Sequence, residues 1–97
     1  MNNDICSAIE NKLVLNLYYG GGNRKVEPFC YGVSKAGNEV LSAYQTSGYS
    51  GSGNYNGWKL FLISEIRNME VTSEKFDGNR LKYNPNDSRM TTIHCHV

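Results

Sequence analysis

Long apolar runs are missing from this sequence. The longest, Leu13 to Leu17, is interrupted by Asn16 and falls far short of the ~20 residues that a membrane-spanning helix needs. An excess of one charge is also missing. Ten basic residues face nine acidic ones, for a formal net charge of +1, so there is no dense positive field for non-specific DNA binding and no acidic tail. The first ten residues, MNNDICSAIE, are polar and acidic, which is unlike a secretory signal. Cys6, Cys30 and Cys95 are odd in number and lack C-x-x-C spacing. The expectation is therefore three free, reduced thiols and a cytoplasmic protein.

What is present suffices for one small core. At 97 residues, about two thirds of the unfolded surface can be buried in a single domain. Seven Tyr and one Trp within a 39% apolar fraction exclude a fully disordered chain.

Ile5, Ala8, Ile9 and Leu13 recur at helical spacing, with Asn3 or Asp4 available as a cap, so Asn3 to Lys12 reads as a short helix. The period then becomes two. Leu13, Leu15, Leu17 and Tyr19 share one face of a strand, and Val14, Asn16 and Tyr18 share the other. Gly20 to Asn23 is a turn, followed by a second strand from Arg24 to Ser34 in which Pro28 marks an edge or a bulge. After a turn at Lys35 to Asn38, a third strand spans Glu39 to Thr46. Ser47 to Gly57 is a loop of Gly, Ser, Asn and Tyr, longer than a hairpin requires. A fourth strand from Trp58 to Ile63, a brief turn at Ser64-Glu65 and a fifth strand from Ile66 to Phe76 follow. The remainder, 77–97, is an extension packed on the domain formed by 3–76, with Thr91 to Val97 alternating like a sixth strand. The fold class is mainly β: an antiparallel five- to six-stranded barrel with one short N-terminal helix. Its core should contain Leu15, Leu17, Val26, Leu41, Ala43, Phe61, Ile63, Ile66 and Val71.

This order of elements resembles the WYL domain, a small SH3-like (Sm-like) barrel. The likeness runs from about Ile5 to Phe76. It is carried by Ala8-Ile9, by Leu15, Leu17 and Tyr19, by Val26-Glu27-Pro28, by Leu41-Ser42-Ala43-Tyr44 and by Trp58-Lys59-Leu60-Phe61 with Ile66. The triad that names the family falls on Glu39-Val40-Leu41, and the two arginines often found after the loop are replaced by Leu62 and Glu65. The resemblance implies a regulatory module for anionic ligands such as nucleotides or nucleic acid. The family often follows a winged-helix DNA-binding domain. With no such domain before Ile5, the expectation is a free-standing barrel.

Tyr44, Gln45, Trp58 and Lys59 flank the long loop and, with Arg24, supply rings for stacking and cations for phosphate. These five are the candidate ligand-binding residues, with the loop and its Tyr49 and Tyr55 closing over the ligand. Half-buried strand aromatics are the competing explanation for Tyr44 and Trp58. Arg80, Lys82 and Arg89, with Tyr83 between them, extend the basic surface or else form a solvated tail. Gly20 to Asn23 lacks the following helix of a phosphate loop. His94 and His96 are too few for a tetrahedral metal site. No nucleophile or acid–base set declares itself, so the expectation is a non-enzymatic module without a cofactor. It would bind a nucleotide or single-stranded nucleic acid weakly. The alternative is a protein-interaction or homodimeric assembly module joined through edge strands.

Overall fold

The computed structural model describes residues 2–51, 56–84 and 87–97. Helix α1 is Asn3–Asn11, and its cap is Asn2, one residue before the positions expected. The Asn2 side-chain oxygen accepts hydrogen bonds from the backbone N–H groups of Asp4 (3.0 Å) and Ile5 (3.2 Å), satisfying donors that a helix start leaves unpaired. Lys12, in the left-handed conformation at φ 53°, ends the helix. The stripe Ile5, Ala8 and Ile9 is fully buried, and it is this docking that stabilises nine residues of helix.

The six strands are β1 (Leu13–Tyr19), β2 (Gly22–Ser34), β3 (Glu39–Gly48), β4 (Gly57–Leu62), β5 (Arg67–Lys75) and β6 (Met90–His96). All pairings are antiparallel, in the order β4-β3-β2-β1-β5, with β6 also on β2. β2 is long enough to serve two neighbours along one edge. Its first residues, to Val26, pair with β1, and its last, from Cys30, pair with β6. Pro28 falls between those stretches, beside a register shift in the pairing with β3, where its missing N–H costs no ladder bond. The result is a small, mainly β, barrel-like sheet. A 3-10 turn, Ile63–Glu65, joins β4 to β5. Those two strands do not pair with each other among the described residues, and Ile63, Ile66 and Met69 pack on the interior core beside that opening.

The interior core holds Leu15, Leu17, Val26, Leu41, Ala43 and Phe61, as alternation predicts, together with Tyr31 and the helix stripe. Val71 is a correction. It lies opposite Leu15 but is 38% exposed, because β5 pairs only with β1 and stands at the lip of the sheet. The opposite face of the sheet is not simply polar. Val14, Phe29 and Phe76 form a second cluster under Tyr83 and Val97, and Cys30, Val40 and Met90 form a third. The C-terminal residues are therefore the outer layer of the fold as well as its sixth strand.

The expectation of three free thiols is also corrected. Cys6 and Cys95 are joined by a disulfide, with their Cα atoms 5.7 Å apart, well inside bridging range. Pairing of β6 with β2 sets Cys95 opposite Tyr31, under the helix that carries Cys6. Only Cys30 remains a thiol. It is buried against the Met90 sulfur, and burial first, then the Asp87 charge, pushes it up to about 11.

Candidate functional site

A strand turns successive side chains to opposite faces, so neighbours such as Tyr44–Gln45 and Trp58–Lys59 cannot line one surface. The structure accordingly divides the five expected ligand residues into two sets. Arg24, Gln45 and Lys59 belong to the inner face, at the end of the barrel where the β1–β2 and β3–β4 connections lie. Tyr44 and Trp58 face outward.

The inner set is built around Arg24. The β1–β2 hairpin pairs Tyr19 with Gly22, which places Arg24 opposite the core residue Leu17 and leaves it 9% exposed. Its Nε donates to the Tyr19 carbonyl (3.1 Å) and one Nη1 hydrogen points to Gln45 Oε1 (3.4 Å). Gln45, fully buried, in turn donates from Nε2 to the Tyr49 carbonyl (2.9 Å). Three rings enclose the guanidinium, with centroids 5.3 Å (Tyr19), 5.6 Å (Phe61) and 5.7 Å (Tyr49) from its carbon. Such rings stabilise a cation through their negative faces but carry no net charge. Arg24 makes no ion pair among the described residues. Its Nη2 has no hydrogen-bond partner there either, yet it is not among the atoms sealed from solvent, and it lies beside the Gly20 turn. A buried cation with open donors and no counter-charge is suited to an anion.

Lys59 shares this face. It lies opposite Ala43, and its Nζ donates to Ser50 Oγ at 3.1 Å. Tyr49 crosses Gly22 so closely that a Cβ at Gly22 would stand 2.3 Å from the Tyr49 Cβ, so only glycine lets the ring reach Arg24. Tyr55, expected to close over the site, lies outside the described residues.

The outer set is held in an aromatic layer. Trp58 meets Phe29 edge-on at 4.9 Å and Tyr44 at 5.6 Å, and it is nearly parallel to Tyr83 at 6.1 Å. Trp58 Nε1 donates to the Leu81 carbonyl (2.9 Å). Arg80 stacks on Tyr44 at 4.1 Å while its Nε and Nη2 donate to the two oxygens of Glu27 (2.8 and 2.9 Å). The expected basic tail residue Arg80 thus clasps the C-terminal segment to the sheet. Arg89 is likewise taken by Asp87, whose carboxyl it holds below the ordinary range. Burial pushes the Tyr83 phenol up to about 12.

Tyr49 was expected from the loop, and Tyr19 and Phe61 are the site residues that sequence reasoning missed. A signal existed. With a two-residue turn at Gly20-Gly21, the inward face of Leu17 and Tyr19 continues through Arg24. No protein-family model, curated protein or solved structure matches the chain.

Proposed function

We propose that this protein is a non-enzymatic binding module that takes a small anion, of the phosphate or nucleotide class, at the barrel mouth beside Arg24. The observation that carries the reading is the burial of the Arg24 guanidinium among three rings with no carboxylate paired to it among the described residues. A bound anion would supply the missing charge and accept the open Nη2 hydrogens. Lys59, on the same face, adds charge. Trp58 and Tyr44 lie on the other face, so this reading assigns them no part in stacking on the ligand. Kinship with the WYL family stays a proposal of the same kind, supported by the leading helix and the strand pattern. The cytoplasmic expectation rested on the polar, acidic first residues and on reduced thiols. With Cys6 and Cys95 bridged, the proposal names no compartment.

The test is a thermal-shift and calorimetric titration with inorganic phosphate, pyrophosphate and nucleoside mono- and diphosphates. At low salt the unfolding midpoint should rise with anion concentration, and the rise should shrink as sodium chloride is added. Arg24→Gln should abolish the rise, whereas Trp58→Phe should keep it. An unchanged midpoint across the series, or an equal response in Arg24→Gln, rejects the reading. The exposed edge strand β5, paired on one side only, favours the alternative of assembly through strand edges. Sedimentation showing a stable oligomer indifferent to anions would select it.

A further inference from the structure

A broad concavity adjoins Arg24 on the face of the sheet turned away from the interior core. It is a groove of about 630 Å³ on the outward face of β3, β2, β1 and β5. Register builds its floor. Ser47 pairs with Lys25, Lys25 with Asn16, and Asn16 with Glu70, a single polar row across four strands. Asn23, Arg24, Gly48, Asn68, Thr72 and Glu74 complete the lining, and no large apolar side chain contributes.

Three features define what this groove would take. The carboxamides of Asn16, Asn23 and Asn68 make no side-chain hydrogen bond among the described residues, so each presents an unspent donor pair and an acceptor to the groove. Charge is largely cancelled. Lys25 is paired with Glu74 at 2.6 Å, and the other two charges of the lining, Arg24 and Glu70, also sum to zero. Asn68 is held at φ 52°, a left-handed conformation rare outside glycine, at the register shift that separates the Asn16–Glu70 and Tyr18–Arg67 pairs. Such bulges re-aim a side chain, and this one accounts for a carboxamide from β5 at the groove. At the rim, Tyr18 is 37% exposed and lies opposite Asn23, offering a flat apolar surface next to the amides.

We propose that the groove binds a neutral saccharide. A sugar hydroxyl is donor and acceptor at once, as a carboxamide is, and adjacent hydroxyls match the paired atoms of an amide or a carboxylate. The C–H face of a pyranose would rest on the Tyr18 ring. An apolar ligand would bury the amides unpaired, and a charged ligand would find no net counter-charge in a lining whose two cations and two carboxylates balance. Arg24 borders both this groove and the mouth, but the saccharide reading rests on the three asparagines and requires no anion at the mouth.

The experiment is nuclear magnetic resonance on the whole protein with malto-, cello-, manno- and acetylated chito-trisaccharides at about 10 mM, ten times the dissociation constant of a millimolar site. At least one trisaccharide should shift the side-chain NH₂ signals of Asn16, Asn23 and Asn68 saturably and independently of salt. Asn16→Ala and Asn68→Gly, the second of which keeps the left-handed backbone, should each weaken that binding about tenfold with circular dichroism unchanged. Silence of all three carboxamides with every trisaccharide, or binding that survives both variants together, would overturn the proposal. If a substituted chain loses its native spectrum, Tyr18→Ala replaces it, with the same expected weakening.

Discussion

Removing the Cys6–Cys95 bridge tests how the two ends of the chain are joined. The two cysteines are 89 residues apart, so the cross-link closes nearly the whole chain into a ring. The chain-entropy relation assigns a ring of that size about 4 to 5 kcal/mol of stability at 25 °C, taken from the unfolded ensemble. That is a large part of the 5 to 15 kcal/mol typical of a domain. For a chain under about 100 residues, the corresponding fall in melting temperature is about 20 to 35 °C. The variant is Cys6→Ala with Cys95→Ala, because both side chains pack in the interior and alanine introduces no polar atom. Differential scanning calorimetry of this variant against the parent, each with and without reductant, gives the number. Reductant should lower the parent's midpoint and leave the variant's unchanged. Cys30 provides the control. Buried, and with its thiol pushed up to about 11, it should resist alkylation in the native state and be the single thiol counted after unfolding without reductant. Counting three thiols in the unreduced protein, or finding a variant within about 1 kcal/mol of the parent, would refute the reasoning.

Leu17→Ala should cost roughly 2 to 5 kcal/mol in urea unfolding, since the side chain is buried opposite Arg24 in the interior core. Gly32→Ala should release β6, because a Cβ there would stand 2.1 Å from the Thr92 carbonyl oxygen, and amide exchange at Ile93 and Cys95 should then speed up while that at Leu15 changes less. Acid should weaken the fold partly through Glu39. The Tyr31 hydroxyl donates to its carboxylate and holds it below the ordinary value of 4.5, so this contribution is fully present above that value and is lost as the pH falls through the lowered one. Glu39→Gln should therefore flatten the acid limb of a stability–pH curve, and an unchanged slope would show that the contact contributes nothing.

Sequence alone determined the elements. Periods of 3.6 and then 2 marked α1 and the strands, glycine clusters marked the turns, and Pro28 marked the break between two pairings of β2. The inner row of Leu15, Leu17, Val26, Leu41 and Phe61 followed because alternation is a local property of the pleat. That same rule, applied strictly, separates Tyr44 from Gln45 and Trp58 from Lys59, so the division of the expected site was already legible. The tertiary structure decided what depends on pairing between distant segments. Docking of β6 along β2 brought Cys95 to Cys6, against the expectation drawn from cysteine number, because spacing along a chain does not report distance in space. The C-terminal segment covered Val14, Phe29 and Trp58, giving a face that alternation marks as solvent-exposed a core of its own. The edge position of β5 exposed Val71, although its side-chain period matched that of buried strands. The environment of Arg24 also belongs to the fold. Its burial needs Leu17 across the hairpin, Gln45 from β3, Phe61 from β4 and Tyr49 crossing Gly22, four contacts that no local pattern specifies together.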